Sequence, residues 1–149
     1  MPLRREKIMS QGSFEKVGTS SERMYGTRKI ALCGYAISEH RVFIQMLESN
    51  KLTPLPLVFA EDAELEKSLG DIMALPDQYG IGKDSHIPRA VILSGITEEE
   101  LHIIMKAYRG LGLPKPLWAV LTPVSESWTL NELLEELTAE SKALNDSKR

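Results

Sequence analysis

A short proline-led apolar run is written twice in this chain: Pro54-Leu55-Pro56-Leu57-Val58-Phe59-Ala60, then Pro114-Lys115-Pro116-Leu117-Trp118-Ala119-Val120. Each copy follows an apolar run of strand length and an amphipathic segment of helical period. Ile30 to Cys33 precedes a helix with Val42, Phe43, Met46 and Leu47 on one side. Arg89 to Gly95 holds the matching strand, and Leu101, Ile104, Met105 and Tyr108 stripe the helix after it. A further helical pattern closes each half, with Leu65, Leu69, Ile72 and Met73 in the first and Leu130, Leu133, Leu134 and Leu137 in the second. Strand–helix–strand–helix, twice, constrains the chain to an α/β fold.

Laid over each other, the halves match with insertions. Ile37-Ser38-Glu39 falls on Ile96-Thr97-Glu98 at a spacing of 59, and the proline motifs match at 60. Leu65, Leu69 and Ile72 then fall on Leu130, Leu134 and Leu137 at 65. The reading is a duplicated βαβα unit, residues 28–75 and 88–140, joined by a Gly- and Pro-punctuated linker at 76–87. The predicted sheet is four-stranded and mostly parallel, in the order 2-1-3-4. That order puts both Pro-x-Pro strands at the edges, where a missing N–H is tolerated. Residues 1–27 read as a flexible arm, 28–145 as one domain, and the tail as frayed.

Helix starts are signed most clearly in the second half. Thr97 with Glu100, and Thr129 with Glu132, have capping-box spacing; Ile96/Leu101 and Trp128/Leu133 are placed as staples. In the first half Ser38 is the expected N-cap, Ile37 and Val42 the staple, with Arg41 where the box glutamate belongs.

Composition excludes more than it assigns. One cysteine, Cys33, allows no internal disulfide and no cysteine-rich metal cluster. No apolar run nears the roughly 20 residues of a membrane span, and no secretory leader is evident, so a reducing cytoplasm is the expected setting. Residues 1–28 carry six basic and three acidic side chains; with the whole chain at −3, the rest stands at −6. An acidic body with few aromatics is not expected to bind nucleic acid. No membrane partner, cofactor or metal is expected.

If strands 1 and 3 ran parallel at the sheet centre, a ligand crevice would open at their carboxyl ends. Gly34, Tyr35, Ser38, Ser94, Gly95, Thr97 and Thr122 would line it. Glu98, Glu99 and Glu100 crowd the helix start there and disfavour a phosphate. Neither dinucleotide nor P-loop glycine spacing occurs. Cys33 and His40 are the only nucleophile–base candidates, and Cys33 reads better as a core thiol. His86 falls in the linker, and His102 flanks an apolar stripe.

Ser94-Gly95-Ile96-Thr97-Glu98-Glu99-Glu100-Leu101, Pro116 before a strand ending Thr122-Pro123, and Trp128-Thr129-Leu130-Asn131-Glu132-Leu133-Leu134 together resemble the bacterial family known as domain of unknown function 3783. The resemblance covers about a third of the chain. It implies a bacterial origin and no assigned activity, and residues 28–75 would be a divergent copy of the unit. The expectation is a non-catalytic module that binds a small molecule, another protein or a second copy of itself. The alternative is a small enzyme using Cys33, His40 and the hydroxyls of the crevice.

Overall fold

The computed structural model describes residues 22–147. Four strands, β1 (Lys29–Cys33), β2 (Leu57–Ala60), β3 (Ala90–Ser94) and β4 (Leu117–Val120), form one open sheet in the order β2-β1-β3-β4. The helices are α1 (Ile37–Ser49), α2 (Leu69–Met73), α3 (Glu98–Arg109) and α4 (Leu130–Ser147). Both proline motifs feed the outermost strands, and each strand begins just after its last proline. The last tail residues, 148 and 149, and most of the expected arm, 1–21, lie outside the described residues.

The sheet is mixed rather than mostly parallel. β1 pairs parallel to β2 and β3 parallel to β4, but β1 and β3 run antiparallel, with Lys29 opposite Ser94 and Cys33 opposite Ala90. The stretch after α2 explains the reversal. Leu75 lies at the amino end of β1, where its carbonyl accepts the Lys29 ammonium. The chain then climbs beside β2. The Asp77 carboxylate accepts Leu57 N–H, Gln78 N–H reaches Leu57 O, and Phe59 N–H reaches Tyr79 O. Ser85 finally bonds Gly34 N–H and Ala60 O at the carboxyl end of β1 and β2. The extra upward pass delivers β3 at the end where β1 finishes, so β3 must run the other way.

Every strand residue but Leu117 is buried, as expected of strands covered on both faces. α1 and α3 cover one face, where Phe43 and Ile104 pack on Ile30, Leu32, Val91 and Leu93. α2 and α4 cover the other, over the small residues Ala31, Cys33, Ala60, Ala90 and Ala119. The result is a three-layer sandwich with two apolar cores.

A constant spacing of 61 residues relates the halves geometrically. Arg28 precedes β1 and forks onto Glu100 at 2.6 and 2.7 Å; Arg89 precedes β3 and forks onto Glu39 at 3.1 and 3.3 Å. From 28 to 89 and from 39 to 100 the step is 61. The same step links the reciprocal bonds Leu69 N–H to Trp128 O and Leu130 N–H to Lys67 O. It carries Ser68, the N-cap of α2, onto Thr129, and the two form an antiparallel bridge. Three different spacings, 59, 60 and 65, were expected. A one-residue slip in a strand exchanges the two faces. At 60, Leu57 would match Leu117; at 61 it matches Trp118, which lies in the same core as Leu57.

Helix starts follow the corrected frame. Thr97 and Glu100 make both bonds of their box, at 3.0 and 2.9 Å, as do Thr129 and Glu132. In the first half the N-cap is Ala36, and Glu39 accepts its N–H at 2.8 Å. Ile37 is therefore an exposed first-turn residue and not the staple. The predicted second helix of that half breaks into a 3-10 turn, Asp62–Glu64, and the five-residue α2, whose N-cap Ser68 accepts Asp71 N–H. Gly70 within α2 lowers its helical propensity.

Candidate functional site

Antiparallel pairing of β1 and β3 divides the expected crevice between opposite ends of the sheet. Gly34, Tyr35 and Ser38 follow β1 at one end; Ser94, Gly95, Thr97 and Thr122 gather at the other, where β3 and β4 finish. Neither group frames a shared cleft between β1 and β3. Gly34 and Gly95 have φ of +77° and +63°, and a Cβ on either would lie 2.4 Å from a backbone carbonyl, of Ile87 and Gly26 respectively. They are glycines because the chain entering each central strand passes against them.

The remaining residues of that set have structural partners. Tyr35 is buried under the Arg89 guanidinium, 4.4 Å from the ring centroid. Ser38 is exposed in the first turn of α1. Thr97 caps α3. Thr122 holds the turn after β4, its hydroxyl accepting Ser125 N–H at 3.0 Å. The Ser94 hydroxyl is buried and has no hydrogen-bond partner among the described residues. It sits beneath Gly26, whose Cβ would approach it to 2.4 Å. Residues 23–26, read as part of the arm, dock here through Met24 N–H to Ile96 O and Gly95 N–H to Tyr25 O.

Cys33 and His40 are not brought together. Cys33 faces the core under α2 and α4, where burial, helped by the Glu64 carboxylate, pushes its thiol up to about 12. His40 lies on the opposite face, stacked on Phe59 at 4.1 Å between ring centroids. Its Nδ1 accepts Gly82 N–H at 3.2 Å, which leaves Nε2–H to donate to Tyr35 O at 3.3 Å. Burial lowers its pKa, so the ring is a neutral, doubly satisfied strut. A protonated thiol on one side of the sheet has no access to a base on the other.

An opening lies elsewhere. A cavity of about 260 Å³ lies between the end of α3 and the entry to β4. Met105, Tyr108, Leu113, Pro116 and Trp118 supply its walls, and the exposed Arg109 and Lys115 add two cations. Arg109 also meets the negative end of the α3 dipole. The tyrosine is held from behind: Tyr35 O–H donates to Tyr108, which donates to Pro114 O, both at 2.8 Å. This chain of hydroxyls ties the loop carrying Lys115 to the core of the first half, so the wall is preorganised. Burial keeps both phenols above their ordinary pKa, hence protonated donors.

Sequence reasoning did not identify this cavity. One signal was available: Lys115 places a charge between the two prolines of the second motif, and the first motif carries none. Among the described residues no group of three or more His, Cys, Asp or Glu side chains could hold a metal, and no helix is long and apolar enough to cross a membrane.

No curated protein and no solved structure matches the chain. The strand, helix and capping residues from Arg89 onward do match a known family model. Residues 89–144, the second half with its proline-led edge strand and its open cavity, match the model of the family described as domain of unknown function (DUF3783).

Proposed function

We propose that the protein is a non-catalytic binding or regulatory module, built from two copies of one βαβα unit and working in a bacterial cytoplasm. The 61-residue spacing of paired glycines, ion pairs and helix starts supports the duplication. The observation that carries the binding reading is the cavity at the end of α3. In the first half the corresponding positions, 61 residues earlier, are Leu52 and Leu55, each 6% exposed and packed into the core. The second half has Leu113 half-buried and the smaller, still buried Pro116 instead, beside an opening flanked by Arg109 and Lys115. A scaffold that fills a position in one copy and opens it in the other has room for a ligand without disturbing its fold.

The enzyme reading finds no support in the placement of Cys33 and His40 on opposite faces of the sheet. A thermal-shift screen against a metabolite collection, run with light scattering on the full chain, tests the binding reading. A saturable rise in Tm with one class of compound, or reversible assembly with itself or a partner, is expected. A strict monomer whose Tm no compound moves would reject it.

A further inference from the structure

We propose that the cavity between α3 and β4 takes a compact organic anion: a carboxylate head held by Arg109 and Lys115, on a short apolar body laid against Met105, Leu113 and Trp118. The inference rests on the binding-module reading and names its ligand class. Two observations carry it.

The first is charge. Arg109 and Lys115 line one small cavity, and neither makes an ion pair or hydrogen bond with a described residue. The more buried cations of the fold are matched, Arg28 to Glu100, Arg89 to Glu39 and Lys29 to the Leu75 carbonyl, whereas Arg109 and Lys115 are exposed at the rim of the cavity. At the corresponding positions the first half has Glu48 and Pro54, so the exchange adds two positive charges and removes a negative one at this place. Two like charges beside an apolar wall repel, and an anion between them relieves that repulsion. An arginine fork suits a planar carboxylate, and a flexible lysine adds a point charge.

The second is size and wall chemistry. At about 260 Å³ the cavity lies just below the roughly 300–1,000 Å³ of common ligand pockets, which suits a fragment-sized ligand rather than a nucleotide. The Tyr108 hydroxyl is committed to Tyr35 and Pro114, so it presents ring rather than a free donor. Polar recognition therefore falls to the two cations, and the rest of the site recognises apolar surface.

The test uses four matched probes against the full chain: phenylacetate, phenyl phosphate, phenethylamine and benzyl alcohol. Binding is followed by two-dimensional amide NMR, with the Trp118 indole N–H as local reporter. Phenylacetate is expected to shift Trp118 and the amides of residues 109–116 saturably, at least tenfold more tightly than phenethylamine or benzyl alcohol. The Arg109→Gln/Lys115→Gln double variant, altered only at exposed positions, should stay folded with at most a small drop in Tm from the lost charge at the end of α3, and lose that preference tenfold or more. The Arg109→Glu/Lys115→Glu variant should favour phenethylamine instead. Phenyl phosphate binding more tightly than phenylacetate would overturn the carboxylate assignment. Equal binding of all four probes, or no loss in the glutamine variant, would overturn the anion class while leaving a binding module in place. Silence from every probe at Trp118 would remove the ligand from this cavity; the broader reading falls only if the metabolite and assembly screens are silent too.

Discussion

Residues 28–75 and 89–140 solve one packing problem with different side chains. Both halves turn on a positive-φ glycine after their first strand, and both lock the start of their first helix with an arginine from the other half. They differ where a side chain is free to differ. The first closes the gap between helix and edge strand with Leu52 and Leu55, and the second leaves it open beside Arg109 and Lys115. The first buries a thiol at position 33, and the second buries a hydroxyl at position 94. The comparison separates what the backbone demands from what a ligand or an accident of packing can occupy.

Backbone demand is greatest at Gly34 and Gly95. A Cβ at either meets a carbonyl oxygen at 2.4 Å and forces an L-residue into positive φ. Steric overlap against backbone, added to left-handed strain, should cost about 3 kcal/mol or more in each alanine variant. Gly82 has a φ of +88° but nothing within 4 Å of its would-be Cβ, so Gly82→Ala should cost only about 1 kcal/mol. Urea unfolding of the three variants measures this. A small loss at one of the paired positions and a large loss at the other would break the equivalence of the halves.

The reciprocal ion pairs come next. Arg28–Glu100 and Arg89–Glu39 are each about four-fifths buried and bidentate, so a double-mutant cycle on either should give a coupling of about 1 kcal/mol, at the upper end for a pair near the surface. The single losses should not match. Arg89→Ala also removes the guanidinium from the Tyr35 ring, an added contact that Arg28→Ala leaves intact. The Arg28 guanidinium holds the Glu100 carboxyl below its ordinary 4.5. Its contribution is therefore complete above that value and is lost as pH falls through the lower folded-state value. A coupling in only one pair would show that the two crossings are not energetic equivalents.

Much of this frame was legible in the residues. The apolar runs gave all four strands, and the proline motifs their edge positions, because proline excludes a central place in a ladder. The second-half caps were readable because Thr97/Glu100 and Thr129/Glu132 bond within four residues of chain. The direction of β3 was not readable. It is set by Asp77, Gln78 and Tyr79 bonding to β2, contacts that give the linker no period of its own. That single reversal also divided the expected crevice. Ala36 was missed as an N-cap because it has no side-chain acceptor; only Glu39, returning to its N–H, marks the position. The cavity was hidden for another reason. Openness depends on Leu113 being only half-buried where Leu52 is buried, and on the smaller Pro116 standing where Leu55 packs, and that comparison needs the true spacing of 61.

The smallest effect sharpens the comparison most finely. Position 94 is the counterpart of Cys33, yet its hydroxyl is buried against Gly26 without a partner among the described residues. A buried donor that has left water unpaired has lost hydration for no return, and removing it costs little. Ser94→Ala should therefore move stability by no more than about 0.5 kcal/mol, towards stabilisation. Ser125→Ala is the control: its hydroxyl accepts Thr122 N–H at 3.1 Å, so the variant should lose about 1 kcal/mol. If Ser94→Ala instead costs as much as Ser125→Ala, the hydroxyl has a partner that only the folded protein in water supplies. The second half would then differ from the first at two places in a way packing alone does not explain, the buried hydroxyl and the open cavity, and the carboxyl end of β3 would again be a candidate for recognition.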